Sequence, residues 1–411
     1  MLTYCHPHIL PAIEEFPGGL LPARNRETGK LLLILKVHKE YILAARTNGG
    51  FSVYLAPLPS TSGLTVALVT AFFDDGDEPL AVKTPLFHGP ESHDLLELLS
   101  YNELDVYFFD EHGREWMGYQ ASMQDQGSLL FIAEEFVLFS YHPEIVNTIY
   151  EALERWFGCR TTKDDANAIK ITFNDPLLRP DIAIIDTRYD NHDYYGSGGI
   201  SHSWVERENP GYFQERDIIM CLKRAFRGEQ LAINPMRRDN GKELVDVLAA
   251  NQTHLLLVQA KDSPNTKASL SRTIDRKRKT SHGKIHEAVR QARGAAGYVR
   301  EQPKLELSIE KKHFVIDVGD KKIVSLVVVQ EIFRRDGDAF VAYYRDKAWS
   351  GNVFVILDYS ALYAFCHEFS DERRLLDAFT DYSAKIVAGG SWINPRTYVL
   401  KFIQERLSKL R

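Results

Sequence analysis

Two short apolar runs in the second half of the chain limit most strongly what this sequence can fold into. Residues 244–250 and 255–261 are apolar at nearly every position and are separated by only four residues. Continuous apolar runs of this length are typical of strands that are covered on both faces. The sequence therefore predicts a pair of buried strands joined by a short turn.

Three polar side chains interrupt these runs and define the candidate site. They are Asp246 in the first run, and Gln259 and Lys261 in the second. Because side chains alternate along a strand, Gln259 and Lys261 project from the same face. Buried charges are costly unless they are paired or bound to a cation. We therefore expect Asp246 and Gln259 to hold Mg²⁺ through oxygen atoms, and Lys261 to assist an attacking water.

Two further carboxylates are candidates for the same site. Residues 213–227 have helical periodicity, and Glu215 precedes three apolar residues at helical spacing, so its side chain faces inward. The alternative is that Glu215 only occupies the first turn, where the helix dipole favours an acid. Strict alternation in the first strand places Glu243 on the face opposite Asp246, so we rank Glu243 as auxiliary.

A strongly basic segment follows the second strand. Residues 267–300 contain ten basic and two acidic residues, a net charge of +8, whereas residues 1–205 contain 14 basic and 29 acidic residues, a net charge of −15. Apolar side chains at helical spacing in residues 285–299 predict a helix. The plain interpretation is a solvated helix face, but beside an Mg²⁺ site we expect a clamp for a DNA backbone. The candidate DNA-binding residues are Arg272, Arg276, Lys277, Arg278, Lys279 and Lys284.

The order of these elements resembles the PD-(D/E)XK restriction-endonuclease-like superfamily. A helix is followed by a strand with Asp246, a strand that ends in Gln259-Ala-Lys261, and another helix. Gln259 stands where most members have an acid, and this exchange is closest to the Mrr-like branch. The resemblance covers residues 205–360. Two departures are that no Pro precedes Asp246 and that Gln259 removes one negative charge.

The resemblance implies both a fold and a set of roles. The fold is an α/β domain with a mixed central sheet flanked by helices. The implied metal-site residues are Asp246, Gln259 and Glu215, with Lys261 as the catalytic lysine. Gln291 lies where members often carry a helix-borne Gln, and it is a second auxiliary candidate.

The function implied by the resemblance is Mg²⁺-dependent hydrolysis of DNA phosphodiester bonds, with Mn²⁺ as a substitute cation and 5′-phosphate products. By analogy, an endonuclease of this layout belongs to restriction or phage defence. A homo-oligomer is expected, since cutting both strands of a duplex needs two sites. The alternative is a catalytically inactive nuclease-fold protein that binds nucleic acid or a protein partner. An RNA-directed nuclease is a third, weaker hypothesis.

Composition and pattern predict an α+β N-terminal domain at residues 1–165, with a sensor or substrate-recognition role, a connecting segment at 166–204, and the nuclease-like domain at 205–411. Predicted strands at 31–37, 41–45, 65–73, 104–109 and 129–132 precede a helix at 143–157. Beyond residue 320 we predict strands at 322–333 and 353–357, and helices at 370–379 and 396–410.

Other features of the sequence exclude several classes of protein. The apolar runs are far too short to span a membrane, the four cysteines form no CxxC pair, and the N-terminus has no signal-peptide pattern, so we expect a cytoplasmic protein. The glycine-rich residues 190–199 are not followed by Lys-Ser or Lys-Thr, so no nucleotide cofactor is expected. We interpret this segment, and His282 and His286, as structural.

Overall fold

Eight strands from the first 178 residues form one mixed sheet. The computed structural model describes residues 1–60, 63–75, 79–124, 136–180, 182–310, 312–349 and 351–409. The strands of this sheet are β1 (Gly19–Arg24), β2 (Leu31–Lys36), β3 (Gly50–Ser60), β4 (Gly63–Ala71), β5 (Ala81–Pro85), β6 (Glu103–Phe109), β7 (Glu115–Gln124) and β8 (Ile169–Leu178). Their order is β1-β2-β6-β7-β8-β3-β4-β5, and each neighbouring pair is antiparallel except the parallel pair β2 and β6.

Helices cover both faces of this sheet. They are α1 (Leu2–Cys5), α2 (Leu10–Glu15), α3 (Lys39–Asn48), α4 (Pro90–Leu99), α5 (Pro143–Gly158) and α6 (Thr162–Ala166). Alternate residues of β3 and β4 belong to two different buried clusters, one shared with α3 and α4 and the other with α5. This division follows from the period of two along a strand.

Two of the N-terminal predictions are wrong. Residues 41–45 form the middle of α3 rather than a strand, because a short apolar run is compatible with either a buried strand or a buried helix. The strand β8 pairs with β3 and β7, so the N-terminal unit extends beyond the predicted boundary at residue 165. The predicted strand at 129–132 lies outside the described residues.

A second mixed sheet forms the core of the C-terminal half. The remaining strands are β9 (Ile184–Asp186), β10 (Ser201–Ser203), β11 (Leu231–Ile233), β12 (Met236–Arg237), β13 (Val247–Ala250), β14 (His254–Lys261), β15 (Lys304–Ile309), β16 (Lys312–Asp317), β17 (Lys322–Val329) and β18 (Val353–Asp358). The order in the second sheet is β11-β13-β14-β17-β18, with β11, β13 and β14 antiparallel and β14, β17 and β18 parallel. The pair β9-β10 and the trio β12-β15-β16 form two small sheets.

The helices of this half pack around the second sheet. They are α7 (Gly211–Leu222), α8 (Lys267–Leu270), α9 (Ile274–Glu301), α10 (Val341–Tyr344), α11 (Tyr359–Glu368), α12 (Glu372–Gly389) and α13 (Pro395–Lys409). The long helix α9 packs against β14 and β17, and α12 packs against β17 and β18. The protein is therefore a mixed α/β protein with large mixed sheets and flanking helices. Within the described ranges, no helix combines the length and apolar character needed to cross a membrane.

Most predicted elements of the C-terminal half are confirmed with shifted ends. The strands predicted at 322–333 and 353–357 correspond to β17 and β18, and the last two predicted helices correspond to α12 and α13. The helix predicted at 213–227 ends earlier, at Leu222. Helix α9 begins at Ile274, so the basic residues 276–279 lie in its first turns rather than before it.

The start of helix α3 joins the two halves. Lys39 Nζ lies 3.4 Å from the buried Asp262 Oδ2, directly after β14. Gln330 Nε2, directly after β17, donates to Glu40 Oε1 at 3.1 Å. Two adjacent residues of the N-terminal half thus contact the carboxyl ends of two neighbouring parallel strands.

Candidate nuclease-like site

Asp246 and Gln259 are joined directly in the structure. Asp246 lies immediately before β13, and its Oδ2 accepts the backbone N–H of Ala260 at 2.5 Å. Gln259 Nε2 donates to the same oxygen. The antiparallel pairing of Val247 with Val258 brings these residues together. Because the amide nitrogen of Gln259 is used in this way, its carbonyl Oε1 is the atom left for a cation.

Lys261 ends β14 on the same face as Gln259. Its Nζ lies 3.2 Å from Glu287 Oε1 on α9, and its side chain is 25% exposed. One turn earlier on α9, Lys284 donates to the backbone carbonyl of Asp262. Helix α9 therefore holds both the amine of Lys261 and the backbone just after it. Glu287 and Asp262 are contacts that strand periodicity alone does not reveal.

Glu215 is connected to Asp246 through Asn234. Asn234 Nδ2 donates to Glu215 Oε2 at 3.0 Å, and the backbone N–H of Asn234 donates to the carbonyl of Asp246 at 2.9 Å. Asn234 has φ of 48°, a left-handed conformation that Asn tolerates better than most residues. The Asn-Pro pair at 234–235 is a turn signal in the sequence, but it carries no sign of this bridging contact.

Glu243 lies beside Asp246, contrary to the sequence-based expectation. The two carboxyl groups form a hydrogen bond, and desolvation together with this bond raises the pKa of Glu243. The expectation is wrong because β13 begins only at Val247, so strict strand alternation does not apply to residues 243–246. Glu243 therefore belongs to the same cluster as Asp246.

Three carboxyl groups in this cluster have raised pKa values. Burial is the largest cause for Glu215, and the nearby charge of Asp246 adds to it. Burial also raises the pKa of Asp246, although hydrogen bonds from Ala260 and Gln259 oppose the shift. Neighbouring carboxylates that resist ionisation favour a bound cation, which stabilises their charged forms.

The donor set fits a hard divalent cation in its chemistry. Its atoms are carboxylate and amide oxygens, the ligands that Mg²⁺ prefers. The buried Oδ1 of Asn234 has no hydrogen-bond partner among the described residues, which leaves one more oxygen beside Glu215. In the part of the chain that the structure describes, no three His, Cys, Asp or Glu side chains converge closely enough to hold a metal by themselves. A cation here would therefore need the amide of Gln259 and water as further ligands.

Gln291 is not joined to this cluster. It lies on α9, and its Oε1 is buried without a hydrogen-bond partner among the described residues. No hydrogen bond within the described ranges links it to Asp246, Gln259 or Lys261.

Part of the basic segment is occupied by contacts within the protein. Lys277 Nζ lies 2.6 Å from Asp74 Oδ2 of the N-terminal half. Arg278 Nε donates to Asp336 Oδ2 at 3.1 Å, and a second bond joins the same two side chains. The charges of Lys277 and Arg278 are thus already neutralised within the protein. The Lys284 ammonium is occupied by its hydrogen bond to the carbonyl of Asp262.

The other three candidate DNA-binding residues remain available. Arg276 and Lys279 are exposed and Arg272 is half-buried. None of the three forms an ion pair with a carboxylate of the described residues. Three of the six residues of the predicted clamp are therefore bound within the protein, and the other three are the ones just named.

The glycine-rich segment has structural roles in the described structure. Asp193 forms an ion pair with Lys223, and His192 Nε2 lies 2.8 Å from the carbonyl of Asp186. Gly196 has φ of 84°, and a Cβ there would come within 2.7 Å of Ile233 Cγ2. These contacts explain the polar and glycine residues through packing.

The fold and this cluster define a mixed α/β protein with an acidic, lysine-flanked site at the ends of two paired strands. No protein-family model matches the chain, and no curated protein matches it.

Proposed function

We propose that the chain is a Mg²⁺-dependent DNA endonuclease of the PD-(D/E)XK type. The observation that carries the proposal is the junction of Asp246, Gln259 and Lys261 at the paired ends of β13 and β14. The order of elements along the chain also supports the proposal, since α7 precedes β13 and β14, and α9 lies between β14 and β17.

The residues that would hold the cation are Asp246, Gln259 and Glu215, with Glu243 as an auxiliary ligand. Bound Mg²⁺ would act as a Lewis acid on the phosphate and on water, and Mn²⁺ can substitute for it. Asn234 fixes Glu215 relative to Asp246 through its two hydrogen bonds. The N–H of Ala260 and the amide of Gln259 both donate to Oδ2 of Asp246 and so fix the orientation of this carboxylate.

Lys261 acts on the reacting phosphate and water. Its ammonium orients the attacking water and offsets the negative charge that builds up as a fifth oxygen approaches phosphorus. Glu287 forms an ion pair with the amine and limits its rotation. The products are a 3′-hydroxyl and a 5′-phosphate.

A second candidate function is DNA binding without cleavage. It is favoured by the neutral Gln259 and by the lack, within the described ranges, of a three-carboxylate metal group. Under this alternative, the carboxylates would be a remnant of a metal site and the outward cations would still bind a DNA backbone.

Cleavage of a substrate panel separates the two functions. The purified protein is incubated with linear, circular, methylated and single-stranded DNA in Mg²⁺ or Mn²⁺, beside Asp246→Asn. The proposal predicts cation-dependent cleavage of at least one substrate and a loss of about 100-fold or more in the variant. DNA binding without cleavage of any substrate would instead support the alternative.

A further inference from the structure

A connected group of aromatic side chains begins one helical turn from Glu215. Trp204 lies 5.6 Å from Phe213 between ring centroids, and Phe213 lies 5.2 Å from Tyr212. His202 stacks on Trp204 at 6.0 Å. We call these four residues the aromatic ridge.

The ridge is open to solvent at its two largest outer rings. Trp204 is 40% exposed and Tyr212 is 45% exposed. Large aromatic side chains that touch one another and remain this exposed are typical of binding surfaces rather than of a folded interior.

A guanidinium group stacks on the end of the ridge nearest Glu215. The Arg216 Cζ atom lies 3.4 Å from the centre of the Tyr212 ring, and Arg216 Nη1 donates to the carbonyl of Tyr212 at 2.9 Å. Within the described ranges, Arg216 forms no ion pair with a carboxylate. An aromatic face with an available cation beside it suits a ligand that is both flat and anionic.

A small groove next to the ridge is lined by guanidinium groups and opens to solvent. Two of them are paired, Arg114 with Asp217 and Arg188 with Asp186. The third, Arg216, forms no ion pair with a carboxylate of the described residues. An unneutralised guanidinium beside exposed aromatic rings favours a phosphodiester chain over an acidic or purely apolar partner.

The position of the ridge links it to the candidate site. Tyr212 precedes Glu215 by three residues on α7, so the two side chains are neighbours on one helix face. A strand bound at the cluster of Asp246 and Glu215 therefore passes within one helical turn of Tyr212.

Resting on the proposed function, we propose that the aromatic ridge stacks unpaired bases, so that the substrate is DNA with a single-stranded segment beside the cleaved bond. Every base has a flat face, so stacking on Trp204 and Tyr212 binds unpaired bases without regard to sequence. Bases inside a duplex are already stacked and would first have to be extruded. The aromatic ridge therefore favours overhangs, flaps and single strands over blunt duplex DNA.

Binding without turnover tests this directly. Fluorescence anisotropy in EDTA measures the affinity of the full chain for a labelled oligo(dT), for an oligo(rU) of the same length, and for a blunt DNA duplex. The wild type is expected to bind oligo(dT) at least tenfold more tightly than the duplex. Trp204→Ala and Tyr212→Ala are each expected to weaken oligo(dT) binding about tenfold and duplex binding less than twofold.

Three controls make the result specific. Trp204→Phe keeps an aromatic face and is expected to restore most of the affinity for oligo(dT). Tyr4→Ala removes a ring that is 87% exposed near the N-terminus and is expected to change nothing. Binding of oligo(dT) is also expected to quench tryptophan fluorescence in the wild type and to quench it less in Trp204→Phe, which folds with a matched side chain.

The outcomes separate this inference from the proposed function. Equal affinity of wild type, Trp204→Ala and Tyr212→Ala for oligo(dT) would overturn the role of the ridge, even if the chain cleaves DNA. Binding of oligo(rU) but not oligo(dT) would overturn the assignment to DNA. Ridge-dependent binding by a protein that cleaves no DNA would uphold the stacking surface and overturn the proposed endonuclease.

Discussion

At the scale of single residues, Asn234 connects the parts of the candidate site. Its side chain holds Glu215 and its backbone N–H holds the carbonyl of Asp246, while its left-handed φ turns the chain between β11 and β12. Both contacts depend on one residue with an unusual backbone conformation. Such local strain is maintained by the surrounding structure and is common at functional sites.

The raised pKa values predict that the cation-free site destabilises the protein at neutral and alkaline pH. Glu243 has a pKa raised from 4.5 to about 8, and those of Glu215 and Asp246 are also raised. A raised carboxyl pKa means that the folded state favours the protonated form. The stabilisation is fully present below the unfolded pKa and is lost as pH rises through the folded pKa. We expect the loss between about pH 4.5 and 8 in EDTA.

Thermal unfolding at pH 5 and pH 8 checks this expectation. Asp246→Asn should unfold about 2 °C or more above the wild type at pH 8 in EDTA, and the difference should shrink at pH 5. Added Mg²⁺ should raise the unfolding temperature of the wild type mainly at pH 8. It should change the unfolding temperature of Asp246→Asn only slightly. Asp320→Asn, an exposed carboxylate in a turn, is the control. A lower unfolding temperature for Asp246→Asn at pH 8 would show that the ionised Asp246 carboxylate does not destabilise the folded protein.

At the scale of elements, helix α3 provides one of the contacts between the N-terminal half and the strand that carries Lys261. The Lys39 ammonium and the Asp262 carboxylate are almost fully buried, with side chains 6% and 0% exposed. Burial opposes the charge on Lys39, but Asp262 and Glu40 more than offset it and raise the pKa of Lys39. The end of β14, and with it Lys261, therefore depends on a residue from the other half of the chain.

Removing Lys39 is expected to destabilise the protein strongly. Lys39→Met leaves the Asp262 carboxylate buried without its cation, which costs about 3 kcal/mol or more. Urea denaturation measures the change, with the exposed Lys163→Met as control. The double variant Lys39→Met/Asp262→Asn should lose less than Lys39→Met alone, because the uncompensated charge is then absent. A loss below about 0.5 kcal/mol in Lys39→Met would show that the ion pair does not hold the halves together.

Local periodicity predicted some parts of the site and not others. Gln259 and Lys261 share a strand face because alternation is a local property of β14. Strand alternation places Glu243 on the wrong face because the chain bends at Asp246 before β13 begins. Contacts such as Lys39 with Asp262 join residues far apart in sequence, and no local pattern encodes them. The prediction of a strand at 41–45 is wrong because a short run that is apolar at nearly every position shows neither the helical period of 3.6 nor the strand period of 2.

At the scale of the whole molecule, some basic side chains form ion pairs within the protein and others point into solvent. The basic segment of the C-terminal half faces an N-terminal half of opposite net charge, and Lys277 pairs with Asp74 across that division. Some of the positive charge therefore stabilises the contact between the halves. Under the proposed function, the outward residues Arg276 and Lys279, together with the half-buried Arg272, would contact a DNA backbone.

The salt dependence of DNA affinity distinguishes these two groups. Arg276→Gln/Lys279→Gln should reduce the slope of log affinity against log salt by about 2, since each neutralised phosphate contributes about 0.9. Lys277→Gln/Arg278→Gln should change the slope by less than about 0.5 and should lower the unfolding temperature instead. A larger change of slope in Lys277→Gln/Arg278→Gln than in Arg276→Gln/Lys279→Gln would contradict the division of the basic segment into paired and outward residues.

Under the proposed function, Lys261 acts in the chemical step at a site built from Asp246 and Gln259. Single-turnover cleavage of a DNA substrate in Mg²⁺, at saturating protein, compares the wild type with Lys261→Met and with the exposed control Lys163→Met. We predict a cleavage rate constant at least about 100-fold lower in Lys261→Met, with DNA affinity within twofold of the wild type. A cleavage rate constant unchanged in Lys261→Met would contradict it.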